Sequence, residues 1–184
     1  MTTMAAARGT GFAAFLAFMA CVPLANWMIG HVGTFCVPNG PCLVPVAPGL
    51  SAPSGVLVAG LALVLRDLVQ RCLGTMAGLV AILLGTALSV LVAGPQVVLA
   101  SGAAFLLSEL ADFAIYTPLQ RRGLVRAVVA SSVVGLVLDS AVFLTLAFGS
   151  LDFLAGQVVG KAWAVLVSIP LVLAVRHVTP VPAR

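Results

Sequence analysis

Long apolar stretches follow one another along this chain, separated by short breaks at proline, glycine or clustered charges. A helix needs about 20 apolar residues to cross the hydrocarbon core of a bilayer. A transmembrane β-strand would instead alternate apolar and polar residues over about ten positions. The continuous runs therefore predict an all-α membrane protein with six transmembrane helices in a single integral membrane domain. We place these helices near residues 10–29, 43–65, 75–93, 96–116, 124–148 and 156–175.

The composition supports a membrane location. Hydrophobic residues make up 62% of the 184 positions and charged residues only 8%, and the mean hydropathy is +1.23. A soluble domain of this length would need more polar side chains to cover its surface, and a disordered chain would be less hydrophobic and more charged. The net charge of +4 is spread over the ends of apolar segments rather than gathered on one face. We therefore expect the lipid bilayer, and no nucleic acid, as a partner.

The positions of the basic residues predict the orientation of the helices, because short cytoplasmic loops carry an excess of Lys and Arg. If both termini are cytoplasmic, Lys161 is the only basic residue within a membrane segment. The others then all lie on the inner side; they are Arg8, Arg66, Arg71, Arg121, Arg122, Arg126, Arg176 and Arg184. The first segment could alternatively be a signal peptide, since residues 18–21 loosely resemble a lipoprotein cleavage site. Apolar residues continue past Cys21 to Ile29, which favours a helix.

The cysteines and the absence of catalytic motifs limit the kinds of site that the sequence predicts. Cys36 and Cys42 flank a turn-rich stretch in the first outer loop, where an oxidising compartment would permit a disulfide. Two free thiols fit this short spacing equally well. We find no cysteine pair with His at metal-ligand spacing, no nucleophile elbow and no phosphate loop. We therefore expect no enzyme activity, no metal and no cofactor.

Polar residues inside the apolar segments are the candidates for function. An ionisable side chain at the centre of a transmembrane helix costs about 2.5 to 3.5 kcal/mol, so it usually lines a polar cavity or pairs with another charge. The fourth segment carries Glu109, Asp112 and Tyr116 at spacings that put them on one helix face. This face could meet a ligand. The alternative is that both carboxylates are shallow and wetted from the cytoplasm.

The fifth and sixth segments carry a second candidate group. Asp139 and Lys161 each lie about 15 positions from the cytoplasmic end of neighbouring antiparallel helices, so both should sit roughly 22 Å along the helix axis, at the same depth. We predict that they meet and neutralise one another, either as part of a ligand site or as a structural link. Gln157 lies one helical turn before Lys161. The predicted polar set is completed by Asn26, Trp27 and Asp67. For Asp67 the alternative is a simple pair with the adjacent Arg66 at the membrane interface.

Several separate motifs resemble one family in their order and spacing. They are Ser54-Gly55-Val56, Arg66-Asp67-Leu68-Val69-Gln70, Ser108-Glu109-Leu110-Ala111-Asp112, Tyr116-Thr117-Pro118-Leu119, Asp139-Ser140 and Gly160-Lys161. Together they are similar to the VUT family of vitamin-uptake transporters, over nearly the whole chain after Ser51. Gln70-Arg71 and Ser131-Ser132 depart from the family pattern. The resemblance implies a six-helix carrier of the bacterial inner membrane. The best-understood members of the family take up queuosine precursors, which are 7-deazaguanines with a 7-cyano or 7-aminomethyl group.

The resemblance agrees with the chemistry of the polar residues. A deazaguanine has an edge of N–H and amino groups that a carboxylate can accept, and its flat ring can be covered by aromatic side chains. The implied substrate-binding residues are Glu109, Asp112, Tyr116, Asp139, Lys161, Gln157, Asn26, Trp27 and Asp67, with Phe113 and Trp163 as further aromatic groups. Two alternatives remain at this point. One is a substrate-binding subunit that needs a separate ATPase, and the other is a structural membrane protein without a substrate.

Overall fold

The computed structural model describes residues 2–38, 40–95 and 97–179. This part of the chain forms six helices and three short strands. The helices are α1 (Thr2–His31), α2 (Val56–Leu73), α3 (Thr75–Val92), α4 (Val98–Leu119), α5 (Leu124–Phe148) and α6 (Leu154–Val178). The strands are β1 (Phe35–Cys36), β2 (Cys42–Ala47) and β3 (Leu50–Pro53), and they form one antiparallel sheet in that order.

Most of the predicted helices are observed. The prediction for α5 agrees at both ends, and that for α3 differs by one residue. Helices α1 and α6 extend beyond the predicted segments at both ends, whereas α4 starts at Val98 and extends beyond its segment only at the C-terminal end. The predicted first residue of α4, Gln96, and the predicted inner position of Arg184 lie outside the described residues. Continuous apolar runs locate these helices well because each run is long and is bounded by proline, glycine or charge.

The second predicted helix is wrong over its first half. Residues 43–53 belong to the sheet rather than to a helix, so the chain is not purely α-helical. Three prolines and a glycine in this stretch explain the difference, because proline lacks the N–H that a helix interior needs. Gly49 supplies the positive φ, +72°, of the turn between β2 and β3. Cys36 and Cys42 pair across β1 and β2 and form a disulfide, which resolves the alternative left open by their spacing.

Helix α2 begins later than predicted and lies at the centre of the bundle. It contacts each of the other five helices. Residues 66–73, predicted as a break between helices, are the last two turns of α2. Arg66 was predicted on the cytoplasmic side and is instead completely buried within the bundle. Gly60 allows α2 to approach α6 closely, since a Cβ there would lie 2.7 Å from the carbonyl oxygen of Lys161.

The outer surface of the bundle is apolar. Among the described residues, five helices are long and apolar enough to cross a membrane: α1, α3, α4, α5 and α6. Large hydrophobic side chains are exposed on them, for example Met76, Leu91, Leu99 and Val167. Helix α2 contains Arg66, Asp67 and Arg71 and is shielded by its neighbours. These features are typical of a multi-pass membrane protein whose exposed side chains face lipid.

The predicted orientation can be tested by thiol labelling. With both termini cytoplasmic, a membrane-impermeant maleimide added from outside should modify Cys36, which is exposed, once the Cys36–Cys42 disulfide has been reduced. Cys72 lies near the other end of the bundle and should react only after the membrane is permeabilised. The double variant Cys36→Ser/Cys42→Ser is the control and should abolish the external signal. Labelling of Cys72 from outside would contradict the orientation.

Candidate functional site

A cavity lies between the helices on the side of the bundle that carries the sheet. It contains about 760 Å³ of space free of atoms, part of it open to the surroundings, and all six helices contribute to its walls. Most of its lining is apolar, as is usual for small-molecule sites. Its polar side chains come from five of the six helices and are Asn26, Ser89, Ser101, Ser108, Glu109, Asp139, Gln157 and Lys161.

An ion pair forms one wall of this cavity. Lys161 Nζ lies 2.5 Å from Asp139 Oδ2, which confirms the predicted contact between α5 and α6. The ammonium group also donates to Ser140 Oγ and to Gln157 Oε1, both at 2.8 Å. The ammonium is therefore held by one charge and two polar groups, as a buried cation requires. Lys161 is almost completely buried, whereas the Asp139 side chain is 23% exposed.

A cluster of charges lies next to the cavity, deeper in the bundle. The guanidinium of Arg66 forms salt bridges with Asp67, Glu109 and Asp112. The distances are 2.9 Å from Nη1 to Asp67 and 2.9 Å from Nε to Glu109, and all four side chains are buried. Arg66 suits this role because its planar fork presents several donors at fixed angles. We name these four residues the Arg66 cluster.

The Arg66 cluster is tied to the surrounding helices by further contacts. Arg66 donates to Gln70 Oε1 at 3.1 Å, and Ser131 donates to Asp67 Oδ2 at 3.2 Å. The Arg66 guanidinium also lies 5.8 Å from the ring centroids of both Phe113 and Tyr116, within the range of cation–π attraction. One positive charge thus faces three carboxylates inside the protein. Such an arrangement is stable only while every member keeps its partners.

Glu109 belongs both to the Arg66 cluster and to the cavity wall. Its Oε2 accepts the Nε–H of Arg66 at 2.9 Å. Within the described part of the chain, Oε1 has no hydrogen-bond partner, and a carboxylate has about four lone-pair sites in all. The side chain therefore has spare acceptor capacity at the cavity while Arg66 fixes its position. Fixed, preorganised acceptors of this kind favour ligand binding because little freedom is lost when the ligand arrives.

The other predicted site residues divide into three groups. Asp139, Lys161, Gln157 and Asn26 line the cavity together with Glu109. Asp67, Asp112 and Tyr116 are buried but do not line it, although Asp112 and Tyr116 share the face of Glu109 as predicted. Trp27 and Trp163 are about half exposed, at 51% and 50%, and neither lines the cavity. Trp27 stacks on His31, and Trp163 donates to the carbonyl of Val46.

Several cavity residues were not predicted. Phe105 and Phe143 supply its aromatic surface, and Ser89, Ser101 and Ser108 supply hydroxyl groups. Ser108 also lies 3.4 Å from Asp139 Oδ1. The helical spacing of Ser101, Ser108 and Glu109 along one side of α4 was the available signal, since residues separated by about seven positions share a face. Nothing in the sequence distinguishes Phe105 and Phe143 from phenylalanines that face lipid.

Comparison with known proteins finds similarity to one family over about half of the chain. Residues 88–178 match the family model described as "Putative vitamin uptake transporter". The matched region includes Glu109, Asp139 and Lys161, and it confirms the resemblance drawn from the sequence over these residues. No curated protein and no solved structure gives a significant match. The family match indicates a membrane transporter of a vitamin-like substrate, which is consistent with a protein that is not an enzyme.

Proposed function

We propose that this chain, a relative of the vitamin uptake transporters over residues 88–178, imports a queuosine precursor across the bacterial inner membrane. The substrate would be 7-cyano-7-deazaguanine or 7-aminomethyl-7-deazaguanine. In this proposal α2 also crosses the membrane, which brings the number of spans to six, and both termini are cytoplasmic. The substrate enters the cavity from the side that carries the sheet.

The observation that carries the proposal is the position of the Glu109 carboxylate at the cavity. A guanine-like edge presents an N–H and an amino group side by side, and a carboxylate is well suited to accept both. Glu109 has an oxygen available, and its other oxygen is held by Arg66. Phe105 and Phe143 line the same cavity and would cover the faces of a flat ring. The cavity thus offers a hydrogen-bond acceptor for the edge of the base and an apolar surface for its faces.

The remaining polar groups would contact the rest of the base. Asp139, Gln157 and Lys161 form one connected group of charge and hydrogen bonds at the cavity wall. Asn26 lies on α1, where its amide nitrogen donates to Val22 O, which leaves its carbonyl oxygen as an acceptor. A site built from a few polar groups in a mostly apolar cavity gives specificity through the penalty for leaving any of them unpaired.

Uptake of a radiolabelled precursor tests the proposal directly. The chain is expressed in a host that can neither make nor import the precursor, and accumulation of label is measured. If the chain needs a separate ATPase subunit, the purified protein would bind the precursor but the chain would not transport it alone. The exposed small residues Ala13 and Ala17 on α1 would be the surface that such a subunit contacts. Absence of both binding and uptake would favour a structural protein.

The variant Glu109→Gln tests the role of this carboxylate. Gln keeps the size of the side chain, and its carbonyl can still accept from Arg66, so the protein should remain folded in the membrane. It replaces one acceptor by a donor, so precursor binding should weaken by about 2 to 3 kcal/mol, the magnitude for losing a charge-assisted contact. Isothermal titration of the purified variant measures this change.

The matched control is Asp152→Asn, which removes a carboxylate from an exposed position outside the cavity and should bind as the parent does. If Glu109→Gln binds and transports the precursor as well as the parent, Glu109 does not recognise the base. Asp139 would then be the next carboxylate to examine. Loss of folded Glu109→Gln protein would indicate a structural role instead.

A further inference from the structure

A second concavity lies at the end of the bundle opposite the sheet. It is formed where the last turn of α2, the connection between α4 and α5, and the last turns of α6 come together. We call it the arginine basin and define it by Arg71, Arg121, Arg122, Arg126, Arg176 and Thr179. Arg121, Arg122, Arg126 and Arg176 are exposed, whereas Arg71 is buried at its base.

The positive charge of the arginine basin is not balanced by the protein's own acidic side chains. The chain has five Asp and Glu residues in total, and none of them lines the basin. Asp67, Glu109 and Asp112 are committed to Arg66, and Asp139 is committed to Lys161. The fifth, Asp152, lies in the loop before α6, at the other end of the bundle. Guanidinium groups gathered in a concave surface raise the local concentration of anions.

Arg71 provides a second and independent observation. Its side chain is only 8% exposed, and Thr179 accepts from two of its nitrogens: Nε to Oγ1 at 3.2 Å and Nη2 to the carbonyl at 3.4 Å. Within residues 2–38, 40–95 and 97–179, its buried Nη1 has no hydrogen-bond partner. A buried charged donor without a partner is destabilising, so this nitrogen is suited to a ligand acceptor.

Helix α5 adds main-chain donors to the arginine basin. It begins at Leu124, and Gly123 before it provides no side-chain cap. Leu124, Val125 and Arg126 all line the basin. The first N–H groups of a helix have no partner within the helix, and together with the helix dipole they favour an anion. The same surface therefore offers guanidinium groups and free main-chain donors to one ligand.

We propose that the arginine basin binds a phosphate-bearing anion at the membrane surface. Arg71 Nη1 and the start of α5 contact the phosphate oxygens, and the exposed arginines surround it. The preference of cytoplasmic loops for basic residues explains why arginines occur on this side of the membrane. It does not explain their convergence around a buried guanidinium with an unpartnered nitrogen. The phosphate belongs either to an anionic phospholipid headgroup or to a free phosphate group, and both offer the same acceptors.

The test uses the purified full-length protein with two probes. In the first arm, native mass spectrometry measures retention of phosphatidylglycerol against phosphatidylcholine. In the second arm, inorganic phosphate is added, and the thermal unfolding midpoint is compared with that in an equal concentration of chloride. Preferential retention of phosphatidylglycerol supports the proposal with a lipid headgroup as the ligand. A phosphate-specific rise of the midpoint supports it with a free phosphate as the ligand.

Two variants with the same type of charge change complete the test. Arg121→Gln/Arg122→Gln removes two exposed arginines of the basin and should weaken binding roughly tenfold or more, since each arginine near a membrane surface contributes substantially to anion attraction. Arg8→Gln removes an exposed arginine that does not line the basin and should leave binding unchanged. Equal retention of both lipids together with no response to phosphate would overturn the proposal. So would equal binding by the parent and the basin variant.

Discussion

Replacement of Arg66 by Met is expected to remove most of the folded protein from the membrane. The change puts an apolar, unbranched side chain in place of the guanidinium and leaves three carboxylates, Asp67, Glu109 and Asp112, without their shared cation in the centre of the bundle. Removing one partner of a buried ion pair costs about 3 to 5 kcal/mol, and here one cation serves three partners. The measurement is the amount and the thermal unfolding midpoint of protein extracted in mild detergent.

Two further substitutions separate the loss of charge from the loss of size. Arg66→Lys keeps the positive charge but not the fork that reaches three carboxylates at once, so an intermediate loss of stability is expected. Combining Arg66→Met with Asp67→Asn and Asp112→Asn removes most of the unbalanced negative charge and should recover folded protein. Arg8→Met is the control at an exposed position and should be neutral. Parental stability of Arg66→Met would show that the Arg66 cluster does not stabilise the fold.

The contact between Asp139 and Lys161 was predictable because it depends only on regular helix geometry. Depth along a transmembrane helix follows from the rise per residue. Helix α5 begins and ends where the apolar pattern predicted. Neighbouring antiparallel helices then bring residues of equal depth together, and two opposite charges in an apolar segment have a strong reason to meet.

The Arg66 cluster could not be predicted, because its geometry depends on where α2 begins. Residues 43–53 are apolar enough to read as the start of a helix, and mean hydropathy does not distinguish an apolar strand from an apolar helix. A helix that starts at residue 43 and spans the membrane ends just before Arg66. The prediction therefore placed Arg66 at the cytoplasmic end, in the break between two helices. The sheet takes up residues 42–53 instead, so the helix starts at Val56 and carries Arg66 into the bundle. The prolines of this stretch were the available signal.

The aromatic residues that line the cavity could not be predicted from the sequence either. In lipid the surroundings of a helix are as apolar as its buried face, so hydrophobicity does not show which side points inward. Trp27 and Trp163 were predicted near the substrate, yet both are half exposed. Phe105 and Phe143 line the cavity because they lie on the same sides of α4 and α5 as Glu109 and Asp139. Only the polar residues indicated the inward face.

The second large effect is expected for the ion pair between α5 and α6. Either Asp139→Asn or Lys161→Met leaves one charge unpaired at the cavity wall, which should cost up to about 3 to 5 kcal/mol, the penalty for breaking a fully buried ion pair. The loss should be larger for Asp139→Asn, because Lys161 is almost completely buried whereas Asp139 is 23% exposed and can be partly hydrated when it is left alone. Both single variants should show reduced folded protein and reduced uptake.

The double variant Asp139→Asn/Lys161→Met measures the interaction itself. Removing both charges together leaves no buried ion without a partner, so folding should recover relative to either single variant, and the unfolding free energies should be clearly non-additive. Asp152→Asn combined with Lys161→Met is the matched control; Asp152 is exposed and belongs to none of the observed ion pairs among the described residues, so its effect should simply add. If the Asp139 and Lys161 variants also add, the two residues do not stabilise one another. Transport need not recover with folding, because the double variant still lacks a carboxylate and an ammonium group at the cavity wall where the substrate is proposed to bind.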